Sequence, residues 1–498
     1  MSSTAAGFAE RFRNRFSSYI DGRFIEDSGE PQAVVDPSRD RVWAELLVDL
    51  DQVTVAVDAA AAAQSAGWAD SAAKRSETLR AVAALVEAEA EALAEFETLA
   101  TGKPIAATRA EVVHAAVWYR YYASVIETER EQSLSLSATK SAQIRQEPIG
   151  VIGAITPFNG AFSLGAWKFA PALAAGNAVV VKPPVASSIS TLLLAELMTQ
   201  AGLPPGLFNV VLGDAAVGTR LVDDPRVGAV TFTGSTGVGR AIGARVAGRM
   251  GRFVCEAGGK SAHIVMDDAD LASAVIAAAQ GVFSGSGQTC VAGSRLLVHR
   301  DVYDEFVSRF VAQASKLMVG DPMSEGVHLG PIATAAQYRR VRDLIDGAVA
   351  EGASVLLDGR DPDIASGDAN GFWVGPTILG DVGEDAVICR TEVFGPVVVV
   401  QRVDSFDEAI VLANDSDFGL AAGIWTGSQA RAHEAASRLA AGTVWINTYR
   451  GMDWRTPFGG YKQSGLGREN GIEALHEFRQ FKTVVQDVAP AVDPFGIA

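Results

Sequence analysis

Cys290 lies in the run Gly281-Val-Phe-Ser-Gly-Ser-Gly-Gln-Thr-Cys-Val-Ala-Gly-Ser-Arg295, directly after an apolar helical pattern from Leu271 to Phe283. Small neighbours let a ligand approach the sulfur and leave backbone N–H groups free to point at it. A thiolate in such a place can attack a carbonyl carbon and hold the product as a covalent intermediate. Taken alone, the position reads first as a packing residue, because free cysteine behaves as a small hydrophobe unless its pKa and exposure say otherwise. A second chemical stretch is Gly234-Ser-Thr-Gly-Val-Gly239, which opens a helix straight after an apolar strand pattern at 228–233. Its free N–H groups and Ser235 stand where a phosphate would sit, although close strand–helix packing also asks for glycines. The spacing is G-x-x-G-x-G, not the usual dinucleotide fingerprint. Gly259-Lys-Ser261 resembles the end of a P-loop, but Val254 occupies the position that requires glycine, which excludes that reading.

Other site chemistries find no support. The six histidines are scattered and form no H-E-x-x-H pair, so no metal centre is expected. Cys255, Cys290 and Cys389 are too widely spaced for a disulfide framework or a zinc pattern, and a reducing cytoplasmic setting is the simplest inference. A net charge of −17 argues against nucleic acid or an anionic membrane as the main partner. No apolar run reaches the length of a membrane span. Arg11, Arg13 and Arg15 lack the apolar core and small-residue cleavage site of a signal peptide. With 498 residues, 48% apolar and 20% charged, the chain reads as globular, with two to four domains.

The elements that must position these residues are legible in outline. Residues 19–50 alternate in short runs, as hairpin strands do. Residues 51–126 are Ala-, Glu- and Leu-rich with helical spacing, broken at Gly102-Lys-Pro104; this is scaffold, and His114, Trp118 and its neighbouring tyrosines read as core and interface, not site. Residues 127–146 turn polar and alternating, either a solvent hairpin or one that pairs with another subunit. The tail 481–486 is a strand signal without a partner nearby in sequence, and exposed edges are usually paired or covered. From Gly150 apolar strands at 150–155, 177–182, 208–212 and 228–233 alternate with helices, the signature of a parallel α/β sheet. Ligands bind such sheets beyond the carboxyl ends of the strands. Those ends carry Ile155, Thr156 and Phe158, then Lys182, then Gly213, then Thr233, Gly234, Ser235 and Gly239, all expected on one crevice.

Together the motifs resemble the NAD(P)-dependent aldehyde dehydrogenase superfamily. The matches are Thr156-Pro-Phe-Asn159, Ala166-Trp-Lys168, Gly176-Asn177, Lys182-Pro183, Phe232-Thr-Gly-Ser-Thr-Gly237, Glu256-Ala-Gly-Gly-Lys260, Gly287-Gln-Thr-Cys290, Glu392-Val-Phe-Gly-Pro396 and Pro457-Phe-Gly-Gly-Tyr-Lys-Gln-Ser-Gly465. They occur in the family's order across nearly the whole chain. The resemblance implies an aldehyde dehydrogenase-like α/β fold of two parallel-sheet domains plus a β-hairpin oligomerisation element. Residues 1–125 and 148–257 would bind NAD(P), 258–463 would be catalytic, and 126–147 with 464–498 would form the oligomerisation element and tail of a homo-oligomer, dimer or tetramer.

By the same resemblance, Cys290 is the nucleophile, and Asn159 with the Cys290 backbone N–H stabilises the oxyanion. Glu256 activates the hydrolytic water, and Lys168 tunes Cys290 or Glu256. Glu392 and Phe394 match the positions that hold the nicotinamide ribose and ring, and Lys182 the adenosine ribose. Val185 stands where NAD-preferring members carry a ribose-binding glutamate, so NAD is expected while NADP stays open. Leu164, Trp167 and Phe458 match positions lining the aldehyde tunnel. Gly160 and Ala161 replace a bulky residue and a proline, which should enlarge the space near the sulfur unless Trp167, Trp454 and Phe458 refill it. Arg450 and Arg455 would recognise a carboxylate on a semialdehyde, or else form surface or interface ion pairs. The expected reaction oxidises an aldehyde to the carboxylic acid; the alternatives are a CoA-acylating member or a catalytically silent cofactor-binding protein.

Overall fold

Apolar strands alternating with helices build two mostly parallel sheets. The computed structural model describes residues 1–26, 29–490 and 494–495. In the first sheet the central strands run, in spatial order, Arg252–Glu256, Val227–Thr233, Val151–Ile155, Ala178–Lys182 and Phe208–Val210, all parallel. The hairpin Tyr19–Ile20 and Arg23–Phe24 extends one edge, and Gly465–Leu466 pairs antiparallel with the other. The chain enters at Val151–Ile155, adds two strands on one side, then crosses back and lays Val227–Thr233 on the opposite side. Strand order reverses between these two neighbours, so their carboxyl ends part and leave a crevice. Every residue of Val151–Ile155 is buried, as a strand covered on both faces must be.

The second sheet contains seven strands in the order Ser354–Leu357, Thr377–Gly380, Val397–Val403, Arg295–His299, Ala262–Val265, Ala421–Trp425 and Thr443–Ile446. Only Ser354–Leu357 is antiparallel to its neighbour. Helix Leu271–Phe283 delivers the chain to the Cys290 loop, over the span that its apolar pattern indicated.

The helical stretch resolves into Gln52–Ser65, Ala72–Ala88, Ala90–Thr101 and Ile105–Thr128. Gly102, at φ 74°, caps Ala90–Thr101 in the left-handed conformation where a stop was expected. The last helix runs on to Thr128 because Tyr119, Tyr122, Ala123 and Ile126 keep one face buried. A further helix, Ser3–Arg11, had no expectation; the Ser2 hydroxyl caps it by accepting from the Ala5 N–H at 3.3 Å.

The tail strand finds its partner far back in the chain. Arg479–Asp487 pairs antiparallel with Lys140–Pro148, from Arg479 opposite Pro148 to Asp487 opposite Lys140. Gln132–Ser135 forms the outer strand of this three-stranded arm and is exposed at every residue. Residues 491–493 and 496–498, expected in the same element, lie outside the described residues. No described helix is long and apolar enough to cross a membrane.

Candidate active site

The crevice at the strand-order reversal is a cavity of about 830 Å³ between the two sheets. Asn159, Glu256 and Cys290 all line it, although they come from three separate segments. The Asn159 side-chain amide donates to the Gln288 carbonyl at 2.8 Å, which ties the loop after Val151–Ile155 to the cysteine loop two residues before the sulfur. The Gln288 side chain in turn accepts from the Ala333 N–H at 3.0 Å. Gly287 must be glycine: at φ 69° a Cβ there would lie 2.1 Å from the Gly395 carbonyl oxygen. That close approach brings the cysteine loop against the 392–396 loop.

Glu256 is buried and Cys290 is half-buried. Burial pushes the Cys290 thiol up to about 12, with the Glu256 and Glu392 carboxylates adding to the shift and the Arg450 cation opposing it. Glu256 ends the strand Arg252–Glu256 and is 4% exposed, and neither carboxylate oxygen has a hydrogen-bond partner among the described residues. Burial raises it well above the usual carboxylate range, and Glu469 raises it further, while Lys168 and Arg468 pull it down. A carboxyl group placed so is poised to exchange a proton with a water in the cavity.

Lys168 does not line the cavity. It is fully buried behind Glu256, where its ammonium forms an ion pair with Glu469 and donates to the Thr231 hydroxyl at 3.3 Å. Its charge acts on Glu256 and does not figure among the influences on Cys290, so of the two expected roles only the tuning of Glu256 has support. Glu469, which does line the cavity, was missed by the sequence reading. Its only signal was a carboxylate in a glycine-rich loop just past the 457–465 motif.

Most of the residues expected to hold the cofactor line this cavity. Ile155, Thr156, Phe158, Lys182, Thr233, Gly234, Ser235, Glu392 and Phe394 line the cavity; Gly213 and Gly239 do not, and instead sit buried behind it. Glu392 accepts from the Gly259 N–H at 3.0 Å, and Gly258 leaves it room, since a Cβ there would stand 2.0 Å from its carboxylate. Phe394, at φ 57°, meets the Phe158 ring edge-on at 5.6 Å. The 392–396 loop is held by two residues that the sequence reading passed over. The Gln337 amide donates to the Val393 and Phe394 carbonyls at 2.8 and 3.0 Å, and the Arg340 guanidinium to the Glu392 carbonyl at 3.2 Å.

Leu164, Trp167 and Phe458, expected to face an aldehyde, also line the cavity, with Trp167 and Phe458 edge-to-face at 5.4 Å. Trp118, read as core and interface, stacks on Trp167 at 5.4 Å and meets Trp454 at 6.3 Å, so an aromatic wall continues outward. The space expected at Gly160 is partly taken by Leu164, whose Cγ lies 3.1 Å from where a Cβ at 160 would be.

The two arginines part company, and neither lines the cavity. Arg455 is exposed, donates to Asp453 at 2.8 and 2.7 Å and lies over the Trp454 ring, so it is a surface ion pair and not a substrate residue. Arg450 is partly buried at φ 62°, and among the described residues its guanidinium makes only a 3.5 Å donation to the Gln280 carbonyl. Its neighbour Tyr449 donates to the Val291 carbonyl at 3.0 Å, directly after Cys290.

Comparison with known proteins agrees with this geometry. Residues 24–484 match the model of the aldehyde dehydrogenase family. A betaine aldehyde dehydrogenase of Brucella suis is 39% identical over 482 residues, covering 96% of this chain and 99% of the relative. The crystal structure of PnpE from Pseudomonas sp. WBC-3 is similar at TM-score 0.93 and 38% identity, covering 97% of this chain and 99% of that one. The NAD+ complex of an aldehyde dehydrogenase from Bacillus cereus is similar at TM-score 0.94 and 35% identity, covering 98% and 99%. With a half-buried thiol and a buried carboxyl group facing one cleft, and matched nearly end to end by the family model and by relatives, the chain belongs to the aldehyde dehydrogenase family.

Proposed function

We propose that the protein oxidises an aldehyde to the carboxylic acid through a covalent intermediate on Cys290, with water as the acyl acceptor. The observation that carries this is the convergence of Cys290, Asn159 and Glu256 on one cavity. The cavity also fits a nicotinamide dinucleotide: Gly258 leaves the Glu392 carboxylate free to face it, and the N-terminus of helix Thr236–Gly248 opens on it beside Ser235. When bound, that group supplies the hydride acceptor. The Cys290 thiolate adds to the aldehyde carbon, and the oxygen gains charge that the Asn159 amide and the Cys290 N–H are placed to stabilise. Loss of hydride leaves a thioester on the sulfur. Glu256 takes a proton from water, the water attacks the thioester, and the acid leaves as Cys290 is restored.

The separating experiment uses Glu256→Gln. Wild type with a neutral aldehyde and NAD+ or NADP+, without CoA, should turn over steadily. The variant should release reduced cofactor in a single burst and then fall by roughly 10²–10³ in steady-state rate. A wild type that turns over only when CoA is added would support the acylating alternative. Nucleotide binding without turnover under any condition would support a silent binding protein.

For the substrate, the partly buried Arg450 guanidinium, which stands behind the cavity wall without an ion-pair partner among the described residues and whose charge acts on Cys290, supports an aldehyde carrying a carboxylate. Residues 1–125 and 148–257 with the first sheet would hold the cofactor, and 258–463 with the second would present the nucleophile. The exposed outer strand of the arm, with Leu134 48% and Leu136 51% exposed, supports assembly as a homo-oligomer through residues 126–147 and the tail.

A further inference from the structure

We infer that Asp214 selects NAD over NADP, supplying from a different strand end the carboxylate that position 185 lacks. The inference rests on the cofactor reading above. Lys182, Val185 and Asp214 line the same end of the cavity, remote in sequence from the cysteine loop. Val185 offers neither a hydrogen bond nor a charge to a ribose. Lys182 marks the spot: its ammonium donates to the Gly213 carbonyl at 3.3 Å, one residue before Asp214, and the Asp214 charge is felt at that ammonium.

The Asp214 side chain is held in place and yet available. It is exposed, and one oxygen accepts from the Ala216 N–H at 2.9 Å, capping helix Ala215–Asp223. The other oxygen has no hydrogen-bond partner among the described residues, so it can accept from a ribose hydroxyl. A 2′-phosphate brought to the same place would meet a fixed like charge. The cations nearby do not cancel that repulsion. Arg245, which also lines the cavity, is spent on Asp223 at 3.0 and 2.8 Å. Lys182 is a single charge beside a single charge, and burial already pushes its pKa down to about 8.

The test pairs binding with turnover in the full-length protein. Titration with 5′-AMP and with adenosine 2′,5′-bisphosphate reads discrimination at the ribose without any chemistry. Wild type should bind 5′-AMP at least about tenfold more tightly, and show a similar ratio of kcat/KM for NAD+ over NADP+, carried by KM. Asp214→Asn keeps an acceptor for the helix cap but removes the charge; it should bring both ratios within about threefold by improving the phosphorylated ligand. Val185→Glu should restore discrimination in the Asp214→Asn background. A wild type that binds both nucleotides equally, or a ratio unchanged in Asp214→Asn, overturns the inference. Nucleotide discrimination without aldehyde turnover would uphold it while removing the hydrolytic reading.

Discussion

The two ends of the cavity solve opposite problems. At the reaction end Glu256 is 4% exposed with both oxygens unpartnered, and Cys290 is pushed up to about 12 by burial. At the nucleotide end Asp214 is exposed, Ser235 is exposed, and Arg245 is neutralised at the surface by Asp223. Low local dielectric makes each charge at the reaction end expensive and therefore powerful, whereas solvent moderates every charge at the other. On the proposed reading, chemistry would be concentrated at the buried end and cofactor selection exercised at the exposed one. Substitutions at the buried end should cost orders of magnitude in rate, and those at the exposed end should move affinities within about two.

The sharpest break in this comparison is Cys290→Ala, which should lower kcat/KM for every aldehyde by at least about 10⁴ while nucleotide binding is kept. Residual turnover above a hundredth of wild type, measured by nicotinamide absorbance, would mean that the sulfur is not the nucleophile.

The pH profile comes next in size. In the proposed mechanism both Cys290 and Glu256 would work in the deprotonated form, and both are raised by burial, so the active fraction should grow as pH rises. The rate should climb by up to about tenfold per pH unit from pH 6 towards pH 9, with its midpoint well above the ordinary carboxylate range. A plateau already reached near pH 5 would show that neither shift operates in the working enzyme.

The smallest expected effect separates two arginines five residues apart. Arg450→Gln should raise KM about tenfold for carboxylate-bearing aldehydes and leave neutral ones of equal length nearly unchanged. Arg455→Gln should change either by less than about twofold, because its pairing with Asp453 is an exposed ion pair. Equal loss for acidic and neutral aldehydes in Arg450→Gln would move that residue from substrate recognition to the support of the cysteine loop.

Local pattern made much of this legible. The parallel strands, the helix Leu271–Phe283, the stop at Gly102 and the strand in the tail all follow from hydrophobic period and glycine placement. Arg450 and Arg455 were not separable in sequence, since both are arginines in one loop; Asp453 beside Arg455 and the left-handed turn at Arg450 decided between them. Gly213 and Gly239 looked like contact residues because they follow strands, but the turns bury them behind the residues that face the cavity.

By itself, then, the sequence determined the sheet order's raw material, the small residues around the sulfur and the motif order that the family shares, because these depend on neighbours within a few positions. Only the tertiary structure decided which charges meet. Lys168 and Glu469 are 301 residues apart and form the buried pair that biases Glu256. Asp214 reaches the Lys182 corner because Phe208–Val210, which leads to it, pairs in parallel beside Ala178–Lys182. An electrostatic field sums over everything near in space, and nearness in space is what folding, and not local pattern, creates.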